Sequence, residues 1–216
     1  MLSLRQILLA FQQRHKHMTT IKSRPVYPGL SPDLNARKNV CVCDEAGAEA
    51  IVELFASAGG PFAERSLVLL AAETLKTNGR GPVIERLSPA EIEVSPALDA
   101  AIVRFREVLS RAAMGLRVYA AGSEPLIGSV IQAAADFGID HKSIRTEQRG
   151  SLKRRVQCVH CKGIIEDVTT SPVRCTHCGL FLFVRDHYSR RLAAFQGVCV
   201  DAECPGEIPE IKVLYS

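Results

Sequence analysis

Two Cys-x-x-Cys pairs, Cys158/Cys161 and Cys175/Cys178, stand thirteen residues apart in the last third of the chain. Four thiolates on two short turns can enclose one tetrahedral metal ion, with metal–sulfur bonds of about 2.3 Å for zinc. Glycines follow both turns, at Gly163 after Lys162 and at Gly179, where they let backbone amides turn towards the sulfurs. Between the pairs run Ile164, Ile165 and then Val168 to Thr170, a β-branched stretch that predicts a strand ending at Ser171-Pro172. Leu180 to Val184 predicts another strand after the second pair. The pattern is that of a metal-pinned hairpin ribbon.

A Cys-x-x-Cys can also be a redox dithiol or a disulfide. A redox pair needs a helix N-terminus behind it to depress the thiol pKa, and strand-forming residues follow both pairs here. Zinc is the expected ion, while a rubredoxin-like single iron satisfies the same four-sulfur geometry. His160 and His177 lie inside the turns, but four thiolates already close the site, so both histidines are expected to face solvent. Cys41 and Cys43 alternate on a predicted strand and read as small buried side chains. Cys199 and Cys204 also read as structural, with a second metal site including Asp201 and Glu203 as the alternative. Asp186 and His187 could form an orienting pair, yet sequence neighbours rarely do so, and no nucleophile motif is present. Helix capping by Asp186 or Ser189 is the expected role, and no catalytic residue is assigned.

The 216 residues suit one domain with a small appendage. An apolar fraction of 47% and a charged fraction of 23% are those of a globular protein, and no apolar run approaches the ~20 residues that span a bilayer. A net charge of +4 gives no strong reason to expect a nucleic-acid partner. Basic clusters at Lys153-Arg154-Arg155 and Arg190-Arg191 leave a nucleic-acid-binding ribbon as an alternative. Thiolate ligands imply a reducing compartment, with the cytoplasm as the default. Residues 1–18 read as a disordered or mis-called extension, because Met18 looks like a natural start. The organisation expected is 1–18, an α/β domain over 19–150, and a zinc-ribbon-like domain with a C-terminal tail over 151–216.

From Asn39 onwards the pattern alternates: a strand at 40–43, a helix at 46–58, and a strand at 66–71. A flexible stretch containing Gly79-Arg80-Gly81-Pro82 follows, then a helix over about 96–114. Its apolar positions Leu98, Ile102, Phe105, Leu109 and Ala112 lie on one helical face. A strand at 116–120 follows, and Leu126, Val130, Ala134 and Phe137 mark a further helix. Such alternation implies a parallel sheet covered by helices. The turn at Gly122 and Ser123, between strand and helix, is where such sheets bind ligands, and these two residues are the candidate cofactor site. The run from Arg117 to Pro125, continuing to Ile144-Arg145-Thr146-Glu147, resembles the last βαβ unit of the nicotinamide domain in ferredoxin-reductase-like flavoenzymes. That family carries Tyr-x-Cys-Gly-Pro at the strand end, whereas Ala121, Gly122 and Ser123 stand here. The thiol is absent, and no Gly-x-Gly-x-x-Gly is found, so a relic that no longer binds nucleotide is expected.

A second resemblance covers roughly residues 18–216. It rests on Ile21-Lys22-Ser23-Arg24-Pro25-Val26-Tyr27, on Gly150-Ser151-Leu152-Lys153-Arg154-Arg155-Val156 leading into Cys158, on Leu182 through Arg185-Asp186-His187-Tyr188 to Leu192, and on Val200 to Glu210. In these segments the chain resembles the small-subunit family of dimethylamine monooxygenase, whose members are accessory components of a multi-subunit heme-dependent oxidative N-demethylase system. The resemblance implies an NADPH-dependent oxygenase that removes a methyl group from dimethylamine as formaldehyde. It further implies that NADPH, FMN and an iron–sulfur cluster belong to a reductase partner and heme to an oxygenase partner. This chain would then be a structural or coupling subunit.

Overall fold

The computed structural model describes residues 23–72, 86–87 and 90–216. The expected extension 1–18 and the Gly79–Pro82 stretch lie outside them. Two compact units are present: Val26–Arg154 with Arg190–Ala193 and Tyr215–Ser216, and Arg155–Ser189 with Ala194–Leu214 and residues 23–25. Among the described residues no helix is long and apolar enough to cross a membrane.

The first unit runs β1 (Lys38–Asp44), α1 (Glu45–Ala58), the single-turn α2 (Gly60–Ala63), β2 (Ser66–Ala71), β3 (Glu91–Ser95), α3 (Leu98–Ser110), β4 (Leu116–Gly122), α4 (Glu124–Ala135) and β5 (Arg145–Gln148). All five strands are parallel, in the order β3-β2-β1-β4-β5. Parallel strands buried on both faces need continuous apolar runs, and the period-two alternation of side chains then divides each run between two cores. Cys41, Cys43, Val68, Leu70, Tyr119 and Ala121 meet α1 residues such as Ile51 and Phe55 on one face. Val40, Val42, Leu69, Val118 and Ala120 meet Phe105 and Leu109 of α3 and Leu126, Ile127 and Val130 of α4 on the other. Cys41 and Cys43 share a face and are fully buried, as their alternation predicts, and burial pushes both thiols well up. Phe62 stands edge-on to both Phe55 and Tyr119 in the first core.

Three boundaries differ from the sequence reading. The helix expected over 96–114 spans Leu98–Ser110: the backbone leaves helical geometry at Arg111, with φ −109° and ψ 4°, and Ala112 therefore falls beyond it. Phe137 lies past the end of α4 and is 41% exposed, so it is not part of the helix's apolar face. Strand β3 was not expected. It is an edge strand in which Glu91 and Glu93 alternate with Ile92 and Val94, and Glu93 receives a two-pronged Arg104 bond from α3 at 2.6 and 2.8 Å.

The second unit holds β6 (Arg154–Cys158), β7 (Ile164–Val168), β8 (Thr170–Ser171), β9 (Val173–Arg174), β10 (Phe181–Ser189), β11 (Ala194–Cys199) and β12 (Lys212–Val213). Five of these form a sheet in the order β7-β6-β11-β10-β9, and β12 pairs with β8. Strand β11 runs parallel to β6 and antiparallel to β10, so the sheet is mixed. Gly197 of β11 has no room for a side chain: a Cβ there would lie 2.8 Å from Val156 and 3.0 Å from Leu182. Residue 23 also belongs here, with Ser23 N–H donating to Asp186 O at 2.9 Å and Tyr188 N–H donating to Ser23 Oγ at 3.1 Å.

Candidate metal centre

Each Cys-x-x-Cys sits at a strand-to-strand turn, the first between β6 and β7 and the second between β9 and β10. The two turns are built alike. Lys162 N–H donates to Cys158 O and Cys158 N–H to Gly163 O, both at 2.9 Å. In the second turn Gly179 N–H donates to Cys175 O at 2.9 Å and Cys175 N–H to Leu180 O at 2.8 Å. Each chain reverses through a left-handed residue, Lys162 (φ 65°) in one and Gly179 (φ 79°) in the other. The turns aim their amides at sulfur, with Gly163 N–H at Cys161 and Leu180 N–H at Cys178.

The four sulfurs converge. Cys158 Sγ lies 3.8 Å from Cys178 Sγ and Cys161 Sγ 3.7 Å from Cys175 Sγ, and all four lie within 4.8 Å of one another. A regular tetrahedron with bonds of about 2.3 Å has edges of about 3.8 Å, so this spacing leaves room for one four-coordinate ion. All eight cysteines are free, and these separations are far beyond the ~2.05 Å of a disulfide. Strands follow both pairs, so neither has the helix N-terminus of a redox dithiol.

Electrostatics point the same way. Burial pushes the Cys175 thiol up, but the amides of Cys178 and His177 and the neighbouring sulfurs pull it down to about 7. At Cys178 the Leu180 amide favours the thiolate, yet burial and the other three sulfurs drive the thiol up to about 12. One negative charge is therefore easily placed and further ones repel it, a repulsion that a divalent cation removes.

His160 is exposed, as expected of a turn residue. His177 has a structural role that sequence reasoning missed. Its Nε2–H donates to Ile164 O at 2.8 Å, tying the second turn to the strand that leaves the first. The ring lies over Gly163, where a Cβ would come within 2.4 Å of His177 Cδ2. No local spacing announces this contact; in the structure the left-handed geometry falls on Lys162, so Gly163 is not required by a positive φ of its own and instead makes space for the ring.

The remaining candidates are placed as follows. Asp186 and Ser189 lie within β10, so the expected helix capping is wrong; no helix begins there, and the alternating Leu182 and Val184 belong to a strand. Asp186 instead faces Arg24 at 4.0 Å, and His187 is exposed. Cys199 Sγ–H donates to Asp201 Oδ1 at 3.0 Å, and that bond raises the thiol's pKa. Among the described residues the four-cysteine group is the one His, Cys, Asp and Glu cluster placed to hold an ion, so Cys199, Asp201, Glu203 and Cys204 assemble no second site. Arg155 of the basic cluster is engaged across the β6–β7 hairpin with Glu166 at 2.8 Å. Gly122 ends β4 at the carboxyl edge of the parallel sheet with φ 136°, and Ser123, the next residue, caps α4 and donates its N–H to Asp44 Oδ2 at 2.8 Å.

The chain thus joins a parallel α/β domain to a strand-rich unit built around four converging thiols that could hold one metal ion. Residues 19–144 match the family described as dimethylamine monooxygenase subunit DmmA-like, N-terminal domain, and residues 155–198 match its C-terminal domain. The chain belongs to this DmmA-like family. It is also similar to the heme-dependent oxidative N-demethylase delta subunit of Ectopseudomonas mendocina (strain ymp), at 35% identity over 97 residues. That match covers 45% of this chain and 55% of the relative, so it spans about half of the relative's length.

Proposed function

We propose that this chain is an accessory subunit of an NADPH-dependent oxidative N-demethylase acting on dimethylamine and releasing formaldehyde. The observation that carries the reading is the family match over both domains, the second of which contains four sulfurs at tetrahedral spacing. Four protein ligands leave no open coordination position, which suits a structural ion rather than one that binds substrate. Zinc on Cys158, Cys161, Cys175 and Cys178 is therefore the proposed occupant, pinning the turn after β6 to the turn before β10. The chain divides by function into the α/β domain over 19–150 and the metal ribbon over 151–216. Electrons come from a flavin and iron–sulfur reductase subunit that takes NADPH, and oxygen chemistry takes place at a heme-type subunit. The relative's name, that of a delta subunit in a heme-dependent oxidative N-demethylase, supports the existence of partner subunits and a place for heme in the system. A cytoplasmic setting agrees with the reduced cysteines that the site requires.

Co-expression of the tagged chain with candidate heme and reductase subunits tests this reading. All are expected to copurify at moderate salt, with about one equivalent of zinc per chain and no visible absorption from the chain on its own. Failure to copurify under these conditions sinks the accessory reading. A red chain carrying iron would replace structural zinc with an electron relay.

A further inference from the structure

In an open parallel sheet the ligand crevice lies where strand order reverses, and the flanking helix N-termini receive the ligand's phosphates. The order β3-β2-β1-β4-β5 puts that point between β1 and β4, with α1 and α4 packed on opposite faces behind them. A side chain already holds those amides. Asp44, the last residue of β1 and the N-cap of α1, accepts Gly47 N–H on Oδ1 at 2.9 Å and Ser123 N–H on Oδ2 at 2.8 Å. Ser123 is in turn the N-cap residue of α4, so one carboxylate bridges both helix starts.

The surrounding backbone is shaped to that carboxylate. Gly122 adopts φ 136°, and a Cβ there would lie 2.3 Å from Asp44 Oδ1. Gly47 lets α1 press against the end of β4, since a Cβ there would stand 1.9 Å from Ala121 O. In nucleotide-binding sheets such glycines admit a pyrophosphate to the backbone; here they admit the chain to itself. Two more acids open these helices, Glu45 in α1 and the nearly buried Glu124 in α4, which accepts Tyr27 O–H at 3.1 Å. A phosphate entering this crevice would have to displace the Asp44 carboxylate from both amides.

We propose that Asp44 is a built-in substitute for a phosphate at the switch point, which closes the α/β domain to nicotinamide dinucleotides and other nucleoside phosphates and makes it a scaffold. The proposal deepens the accessory-subunit reading and rests on it only in assigning NADPH to a partner.

The test uses the full-length, metal-loaded chain. Calorimetry and amide spectra are recorded during titration with NADPH, ADP and inorganic pyrophosphate to millimolar concentration. The wild type is expected to show no binding heat and no shift at the Gly47 and Ser123 amides. Asp44→Ala uncovers both amides and is expected to gain pyrophosphate binding, with a Tm that rises with pyrophosphate while the wild-type Tm does not. Should that variant fail to fold, Asp44→Ser keeps a capping hydroxyl, removes the charge, and carries the same expectation. Micromolar NADPH or ADP binding by the wild type with shifts at Gly47 and Ser123 overturns the proposal. So does a folded variant indifferent to pyrophosphate. If both variants unfold, the wild-type titration decides alone. Loss of copurification with partner subunits would sink the accessory reading and leave this one standing.

Discussion

Gly163→Ala isolates the link between the two metal turns. Gly163 has no left-handed φ, so alanine costs nothing in the backbone, but its Cβ would lie 2.4 and 2.5 Å from Cδ2 and Cγ of His177. No real Cβ tolerates that approach, and the more mobile partner is the exposed imidazole, which must swing out and give up its 2.8 Å bond to Ile164 O. Losing a hydrogen bond whose carbonyl water can reach costs about 0.5–1.5 kcal/mol, and residual crowding brings the total to about 1–2 kcal/mol. Because closing the turns and binding the ion are one event, that loss appears as roughly 5- to 30-fold weaker metal binding. Competition for zinc against a chromophoric chelator measures it. In a His177→Ala background the ring is gone, and Gly163→Ala is expected to cost less than about 0.5 kcal/mol further. An equal loss in both backgrounds would refute the argument, because the glycine would then matter for a reason other than the histidine.

Two further perturbations have defined outcomes. Cys158→Ser leaves three thiolates and is expected to lose the ion and open the ribbon, since structural zinc contributes about 10–16 kcal/mol to a small metal-dependent fold. Limited proteolysis should then cut within 155–214 and spare the α/β domain, whereas full metal content with an intact ribbon contradicts the four-ligand reading. Asp33 is held below the ordinary carboxylate range first by its hydrogen bonds from Arg117 and then by the Asn35 amide. A lowered folded-state pKa gives stability that is complete above the unfolded value and is lost as pH falls through the folded one, so the window lies below about pH 4. The Tm difference between wild type and Asp33→Asn should therefore be present at neutral pH and vanish in acid; a constant difference would show that the pairing does not act through ionisation.

What could be read from the sequence was what local spacing determines. The two Cys-x-x-Cys turns, the shared face of Cys41 and Cys43, and the strand at Ser66–Ala71 each need only a few consecutive residues to be recognised. Helix α3 is legible but its end is not, because its apolar stripe continues to Ala112 after the hydrogen-bonded helix has ended at Ser110. Strand β3 escaped because an edge strand carrying Glu91 and Glu93 has no run of buried residues to reveal it. The contacts that decide function lie further out of reach. His177 over Gly163 joins separate turns, and Asp44 to Ser123 spans 79 positions. No periodicity encodes either, since both depend on strand order.

The unit that holds the four clustered cysteines is discontinuous in the chain. Ser23 joins it through Asp186 and Tyr188, across 165 positions in the longer of the two bonds. During translation the five parallel strands, Lys38 to Gln148, are made before the four clustered cysteines. Ser23 must then wait until Asp186 and Tyr188 are synthesised before its bridge partners exist. Docking of Ser23 thus waits on the strand that carries Asp186 and Tyr188, and removing that strand would leave Ser23 without these two bonds.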